Sequence, residues 1–276
     1  MEQIYPALTS LKIDAVKTDD YTRVTKENDM YTVYYSQKSE FIRGLSFVMN
    51  QKECPKQTAK FESIGLMFNA SHGSVPTVAG VKRYMTLCAM MGFNMFMLYT
   101  EDTYEIEGEP YAGYLRGRIT AKEMKELDDF ADMLGLELIP CIQTLAHLGK
   151  FMKWGDTQKY RDCADVLLTD SELTYDLIER MIRSACKPVR SKRIHIGMDE
   201  AMTLGEGAYL KNHERTDKFE IFIKHLERVC NITDKYGLKP IIWSDAYLRE
   251  ANPDRDYWSQ APMTKTASVP DGLQLA

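Results

Sequence analysis

The stretch that decides the fold runs from Ile64 to Tyr99. It starts with Ile64-Gly65-Leu66-Met67-Phe68, an apolar run of strand length. From Val78 to Met91 the apolar positions Val78, Val81, Leu87 and Met91 recur at helical spacing. Asn94-Met95-Phe96-Met97-Leu98-Tyr99 is a second apolar strand. Pro76 precedes the helix, Thr77 stands where an N-cap belongs, and Gly92 follows the last turn as a stop. Strand, helix and strand in this order form a βαβ unit, whose crossover connection makes a parallel sheet.

The pattern continues toward the C-terminus. Thr120 caps a helix at about Ala121 to Leu134, Gly135 ends it, and the strand Leu136-Glu137-Leu138-Ile139-Pro140-Cys141-Ile142 follows. A helix at about Leu173 to Cys186 leads to a strand from Arg193 to Met198. A helix at about Phe219 to Tyr236 stops at Gly237, ahead of the strand Lys239-Pro240-Ile241-Ile242-Trp243. Gly272-Leu273-Gln274-Leu275-Ala276 begins a sixth. Asn69-Ala70-Ser71-His72-Gly73-Ser74, after the first strand, lacks the GxGxxG of a dinucleotide-binding turn. The expected fold class is α/β: a (β/α) TIM-type barrel over residues 61–276, incomplete, with about five to six βα units. Residues 61–276 fall short of the roughly 250 that a full barrel takes. An open parallel sheet exposes unpaired edge groups. The chain is thus expected to be a fragment; the alternatives are that another chain covers the edge, as a second copy in a homo-oligomer would, or that the remaining elements are atypical.

Residues 1–60 read differently, as a small α+β region. Tyr31-Thr32-Val33-Tyr34-Tyr35-Ser36 is β-like, and Ser39 to Met49 is helix-like despite Gly44 inside it.

Composition excludes several classes. With 44% hydrophobic and 27% charged residues the chain is an ordinary globular one. A net charge of -5 argues against a nucleic-acid partner, and no basic patch stands out. No apolar run approaches the roughly 20 residues of a membrane span. Met1-Glu2-Gln3-Ile4-Tyr5-Pro6 has neither the basic start nor the apolar core of a signal peptide, so a cytoplasmic location is expected. Cys54, Cys88, Cys141, Cys163, Cys186 and Cys230 are scattered without CxxC spacing, which fits free thiols better than disulfides or zinc.

In parallel α/β proteins, chemistry sits at the carboxyl ends of the strands. Those ends carry Asn69, Ser71 and His72; Glu101 and Asp102; Gln143 and His147; Asp199 and Glu200; and Trp243, Ser244, Asp245 and Tyr247. The adjacent acids of Arg193-Ile194-His195-Ile196-Gly197-Met198-Asp199-Glu200 suggest acid/base work on a bound substrate. His195, in mid-strand, is read as structural.

His195-Ile196-Gly197-Met198-Asp199-Glu200-Ala201 resembles the signature of family 20 glycoside hydrolases, the β-N-acetylhexosaminidases. Leu98-Tyr99-Thr100-Glu101-Asp102-Thr103-Tyr104-Glu105, Pro140-Cys141-Ile142-Gln143-Thr144-Leu145-Ala146-His147 and Ile242-Trp243-Ser244-Asp245 resemble its bacterial exo-N-acetylglucosaminidase branch. The likeness spans about residues 30 to 275. It implies removal of terminal β-linked N-acetylglucosamine or N-acetylgalactosamine from a glycan, with no cofactor and no metal. It casts Glu200 as the general acid and Asp199 as the carboxylate that holds the substrate's acetamido N–H. The acetamido oxygen itself would be the nucleophile, as in substrate-assisted families. One acid must then stay ionised while the other is protonated near neutral pH. Trp243 would wall the acetamido pocket. His147 would sit beside the catalytic pair. Glu101, Asp102, Asp245 and His72 would contact the sugar or support the residues that do.

Two departures from the family accompany the likeness. Where the family carries an acid and then a sugar-gripping arginine after its first strand, this chain has Asn69-Ala70-Ser71-His72. The chain also ends before the family's aromatic-acidic sixth strand, so weak or no activity is expected of it alone. Two other readings stand beside the glycosidase: a metal-dependent barrel hydrolase or isomerase using His72, Asp102, His147, Asp199, Glu200 and Asp245, and a non-catalytic carbohydrate-binding subunit using Trp243 and Tyr247.

Overall fold

The computed structural model describes residues 8–252, 254, 256, 258 and 260–276. Met1 to Pro6, the stretch without signal-peptide character, lie outside the described residues. The chain divides into two compact units. One takes the chain up to Phe68 with Pro76–Met97 and Lys125–Leu138, and the other takes Asn69–Val75, Leu98–Met124 and Ile139–Ala276.

The N-terminal part of the first unit is a four-stranded sheet made of β1 (Lys12–Lys17), β2 (Thr22–Glu27), β3 (Met30–Tyr35) and β4 (Cys54–Gln57), in the order β1-β3-β2-β4. β2 and β3 form an antiparallel hairpin, with Asn28 left-handed at φ 53° in its two-residue connection. Helix α1 (Lys38–Met49) lies on this sheet. Its Ile42, Leu45 and Val48 are buried with Val24, Tyr31 and Val33. Gly44 belongs in this helix because a Cβ there would sit 2.4 Å from Val33 Cγ1. The glycine is a packing device and not a helix break.

The barrel strands follow in chain order: β5 (Gly65–Asn69), α2 (Val78–Met90), β6 (Met95–Glu101), α3 (Ala121–Leu134) and β7 (Glu137–Ile142). Thr77 caps α2, its hydroxyl accepting from the Gly80 N–H at 3.2 Å. At α3, Thr120 Oγ1 accepts from the Glu123 N–H while the Glu123 carboxylate accepts from the Thr120 N–H, a closed capping box. Gly92 and Gly135 end these two helices in the left-handed conformation that glycine adopts without strain.

A two-strand hairpin of β8 (Arg161–Cys163) and β9 (Val166–Leu167) interrupts the connection to α4 (Glu172–Cys186). Then come β10 (Arg193–His195), α5 (Ala208–Asn212), α6 (Lys218–Lys235), β11 (Lys239–Ile242), α7 (Asp245–Ala251) and β12 (Gln274–Leu275). The strand order β12-β11-β10-β7-β6-β5 reproduces the chain order, the mark of successive βαβ crossovers. This parallel, curled sheet with its helices is an incomplete TIM-type barrel, as the alternation predicts. α4 buries Leu177, Ile178, Met181 and Ile182, and α6 buries Phe219, Phe222, Leu226 and Val229. Both stripes join one core with Ile194, Ile196 and Ile242.

One strand is shorter than expected. β10 ends at His195 rather than Met198 because Gly197 and Met198 both turn left-handed, each at φ 73°. Among the described residues no helix is long and apolar enough to cross a membrane.

Candidate active site

The early end of β10 sets up the site. The left-handed turn at Gly197 and Met198 redirects the chain just before Asp199 and Glu200. A Cβ on Gly197 would lie 2.1 Å from Gln143 Oε1, so only glycine admits that side chain so close to the backbone. Gln143 Oε1 in turn accepts from the Met198 N–H at 3.2 Å. Among the described residues, four of the eight non-glycine residues with positive φ are at these strand ends: Glu101, His147, Met198 and Glu200. Such a conformation costs roughly 1–2 kcal/mol per residue. It persists where packing over-determines it, and such places are commonly functional.

Asp199 is held from two sides. Gln143, one residue past β7, donates from Nε2 to Asp199 Oδ1 at 2.7 Å and to the Tyr99 hydroxyl at 3.0 Å. His147 Nε2 lies 3.0 Å from Asp199 Oδ2 and 3.6 Å from Glu200 Oε2, an ion-pair approach without the linearity of a hydrogen bond. Burial pushes the Asp199 pKa up, but His147 and Gln143 outweigh it and hold the carboxyl below its ordinary value. His147 moves the other way, up to about 9. Asp199 is the main cause, burial opposes it, and Asp165 and Glu200 add to it. At neutral pH the pair is therefore an aspartate beside an imidazolium. Glu200 is placed differently, with its side chain 63% exposed and its backbone N–H donating to Asp245 Oδ2 at 3.1 Å.

The relay from Gln143 extends further. The Tyr99 hydroxyl donates to Glu101 Oε1 at 3.1 Å, and His72 Nε2 approaches the same oxygen at 3.2 Å. Asn69 Nδ2 stands 2.8 Å from His72 Nδ1, which fits an amide donating to that nitrogen and leaves Nε2–H facing Glu101. Glu101 and His72 are thus joined to Asp199 through Tyr99 and Gln143. Trp243 stands apart from this relay, its ring 4.7 Å from that of His195 and its backbone N–H donating to the Gly197 carbonyl at 3.1 Å. His195 is fully buried; its Nδ1 accepts from the Gly197 N–H, and burial lowers its pKa to about 4. It is a neutral core histidine that shapes the turn.

Asp102 is placed elsewhere. Its side chain is only 2% exposed; one oxygen pairs with Arg116 and the other accepts from the Gly113 N–H at 3.3 Å. Both oxygens are occupied in bracing the loop after β6. Arg116 also donates to the Ser71 carbonyl at 3.4 Å. Gln143 and Tyr99 in the relay, and Arg116 in the Asp102 brace, were not chosen as site residues from the sequence. Gln143 was noted at its strand end without a role, and Tyr99 closes the second apolar run, where position alone could have flagged it. Arg116 sits in an irregular loop that gives no such signal. Among the described residues no group of three or more His, Cys, Asp or Glu is arranged to hold a metal ion.

No protein-family profile matches the chain. It aligns with Hexosaminidase D of Bos taurus at 27% identity over 204 residues, covering 69% of this chain and 57% of that protein. With Hexosaminidase D of Homo sapiens the identity is 24% over 193 residues, covering 66% and 39%. The chain thus spans about half the length of the curated relatives it matches. Among solved structures, a β-N-acetylhexosaminidase from Bacteroides fragilis superposes with a TM-score of 0.76 at 16% identity, over 96% of this chain and 58% of that one. A Streptomyces plicatus β-hexosaminidase mutant in complex with its product GlcNAc gives 0.70 at 18%, over 89% and 59%. The fold is that of the family 20 β-N-acetylhexosaminidases.

Proposed function

We propose that this chain carries the catalytic pair of a β-N-acetylhexosaminidase, a glycoside hydrolase that removes terminal β-linked N-acetylhexosamine with retention of configuration. The observation that carries the reading is the unequal treatment of two neighbouring acids. Asp199 is clamped and kept ionised by His147 and Gln143, while Glu200 beside it reaches solvent.

In the proposed first step Glu200 gives its proton to the glycosidic oxygen. The acetamido oxygen of the sugar forms a bond to the anomeric carbon as the bond to the leaving group breaks. Asp199 accepts the acetamido N–H and stabilises the positive charge on the resulting oxazolinium ring. In the second step Glu200, now a carboxylate, takes a proton from water. The water oxygen bonds to the anomeric carbon and the ring reopens. The neighbouring amide gives this nucleophile the proximity advantage of an intramolecular reaction. Trp243 walls the acetamido pocket, Glu101 and His72 support the sugar side, and Asp245 fixes the backbone at Glu200. Asp102 acts through the loop it braces. The free thiols fit a cytoplasmic setting.

The test is release of the fluorophore from a methylumbelliferyl β-N-acetylglucosaminide, together with binding of the oxazoline mimic N-acetylglucosamine-thiazoline. Glu200→Gln should slow hydrolysis of substrates with poor leaving groups by about 10²–10⁴-fold, the usual worth of a general acid. Cleavage by the wild-type chain alone is expected to be weak or absent, so binding of the mimic is the first readout; no binding of the mimic, or a cleavage rate unchanged in that variant, would overturn the reading.

A further inference from the structure

The net charge of -5 hides a local reversal. From Arg180 to Arg193 the chain carries six cations, Arg180, Arg183, Lys187, Arg190, Lys192 and Arg193, and no acid. This segment is the end of α4 and the entry to β10. It meets the turn at Tyr236 to Leu238, just ahead of β11, around a cavity of about 350 Å³ lined chiefly by Arg183, Cys186, Lys187, Lys192, Tyr236 and Leu238. The cavity therefore opens at the amino ends of the strands, whereas Asp199 and Glu200 stand at the carboxyl ends.

The charges around the cavity do not cancel. Arg180 pairs with Glu109, and Arg183 with Glu107 at 2.7 Å. Glu179 is occupied by Lys235 and the Tyr236 hydroxyl. Lys187 and Lys192 are exposed and pair with no carboxylate among the described residues. Burial raises the Cys186 thiol to about 12 against the pull of Lys192, so the thiol adds no negative charge at neutral pH. The simplest competing account is that these cations only offset the dipole at the end of α4. A helix C-terminus carries about half a negative charge. Lys187 alone exceeds that, and Lys192 is not on the helix. Among the described residues, Lys187 and Lys192 therefore leave more than one unit of positive charge unpaired in a cavity whose lining includes Leu238 and Tyr236.

We infer that this cavity binds a small phosphate-bearing metabolite, with Lys187 and Lys192 on the phosphate and the Tyr236–Leu238 wall against the uncharged body. Ligand sites run from about 300 to 1,000 Å³. A cavity near the lower end of that range suits a single phosphorylated ring and is too small for a polymer.

The experiment is calorimetric titration of the full chain with glucose 6-phosphate as probe, at fixed ionic strength. Inorganic phosphate and glucose are titrated separately. Saturable one-to-one binding of glucose 6-phosphate is expected, tighter than inorganic phosphate and absent for glucose. The double variant Lys187→Gln/Lys192→Gln should weaken it at least tenfold, and Lys187→Arg/Lys192→Arg should keep it. Both lysines are exposed, so the variants should melt like the parent chain. No saturable binding, binding indifferent to the double glutamine variant, or inorganic phosphate binding as tightly as the ester would each overturn the inference.

Discussion

A single imidazolium organises the site. His147 holds its proton up to about pH 9 because Asp199 is beside it, and Asp199 stays ionised below its ordinary range because His147 and Gln143 face it. The two shifts bound a window. The histidine's contribution to stability is complete below its unperturbed value of 6.5 and is lost as pH rises through about 9. The aspartate's contribution is present above its ordinary value of 3.8 and is lost as pH falls through its lowered one. His147→Gln should therefore lower the melting temperature most near pH 6, with the gap to the parent closing between pH 7 and 10. A gap of constant size over that range would break the ion-pair assignment. The two acids were legible in the sequence because they close an apolar run. The clamp was legible only in part: the family likeness put His147 beside the pair, whereas Gln143 and the Tyr99 behind it come from other strands and are brought to Asp199 only once the parallel sheet has formed. Asp102 was legible as an acid at a strand end, but nothing local announces that Arg116, fourteen residues on, takes up its charge.

At the level of elements, the sequence announces helices better than strands. Thr77 and Thr120 cap where they stand, and Gly92, Gly135 and Gly237 mark ends that the structure keeps within a residue or two. These signals are local. β1 and β2 were not legible, because Lys-Ile-Asp-Ala-Val-Lys is largely exposed and Thr-Arg-Val-Thr-Lys-Glu buries only Thr22 and Val24, so neither carries much apolar alternation. They are strands because β3 pairs with both of them. Gly44 makes the same point from inside a helix. Alanine there gains up to about 1 kcal/mol in helix propensity. Its Cβ would also press on Val33, a stiff β-branched side chain with no exposure, and overpacking of this kind costs about 1–3 kcal/mol. The steric cost should win, so Gly44→Ala should lower the melting temperature and leave α1 formed by circular dichroism. A variant as stable as the parent, or more so, would show that α1 rides further from the sheet than this contact requires.

Over the whole chain, cohesion is carried by packing without covalent staples. All six cysteines are free thiols. Each has its pKa raised, with burial as the first cause, and Cys141, in strand β7 of the parallel sheet, is shifted far above the ordinary range. The thiolate is the form that reacts, so burial protects these groups twice: it blocks reagent and it suppresses ionisation. A chain of this length buries enough apolar surface to fold without disulfides, whereas small secreted domains depend on them. The folded protein at pH 8 should therefore react slowly with a thiol reagent at every cysteine. After unfolding without any reductant it should release six equivalents, and its melting temperature should be the same with and without dithiothreitol. Fewer than six equivalents would reveal a disulfide that joins elements which the fold keeps as separate buried thiols. A fast-reacting thiol in the native chain would show that one of these positions opens to solvent, and Cys163 and Cys186, the two that are only partly buried, are where it would be found.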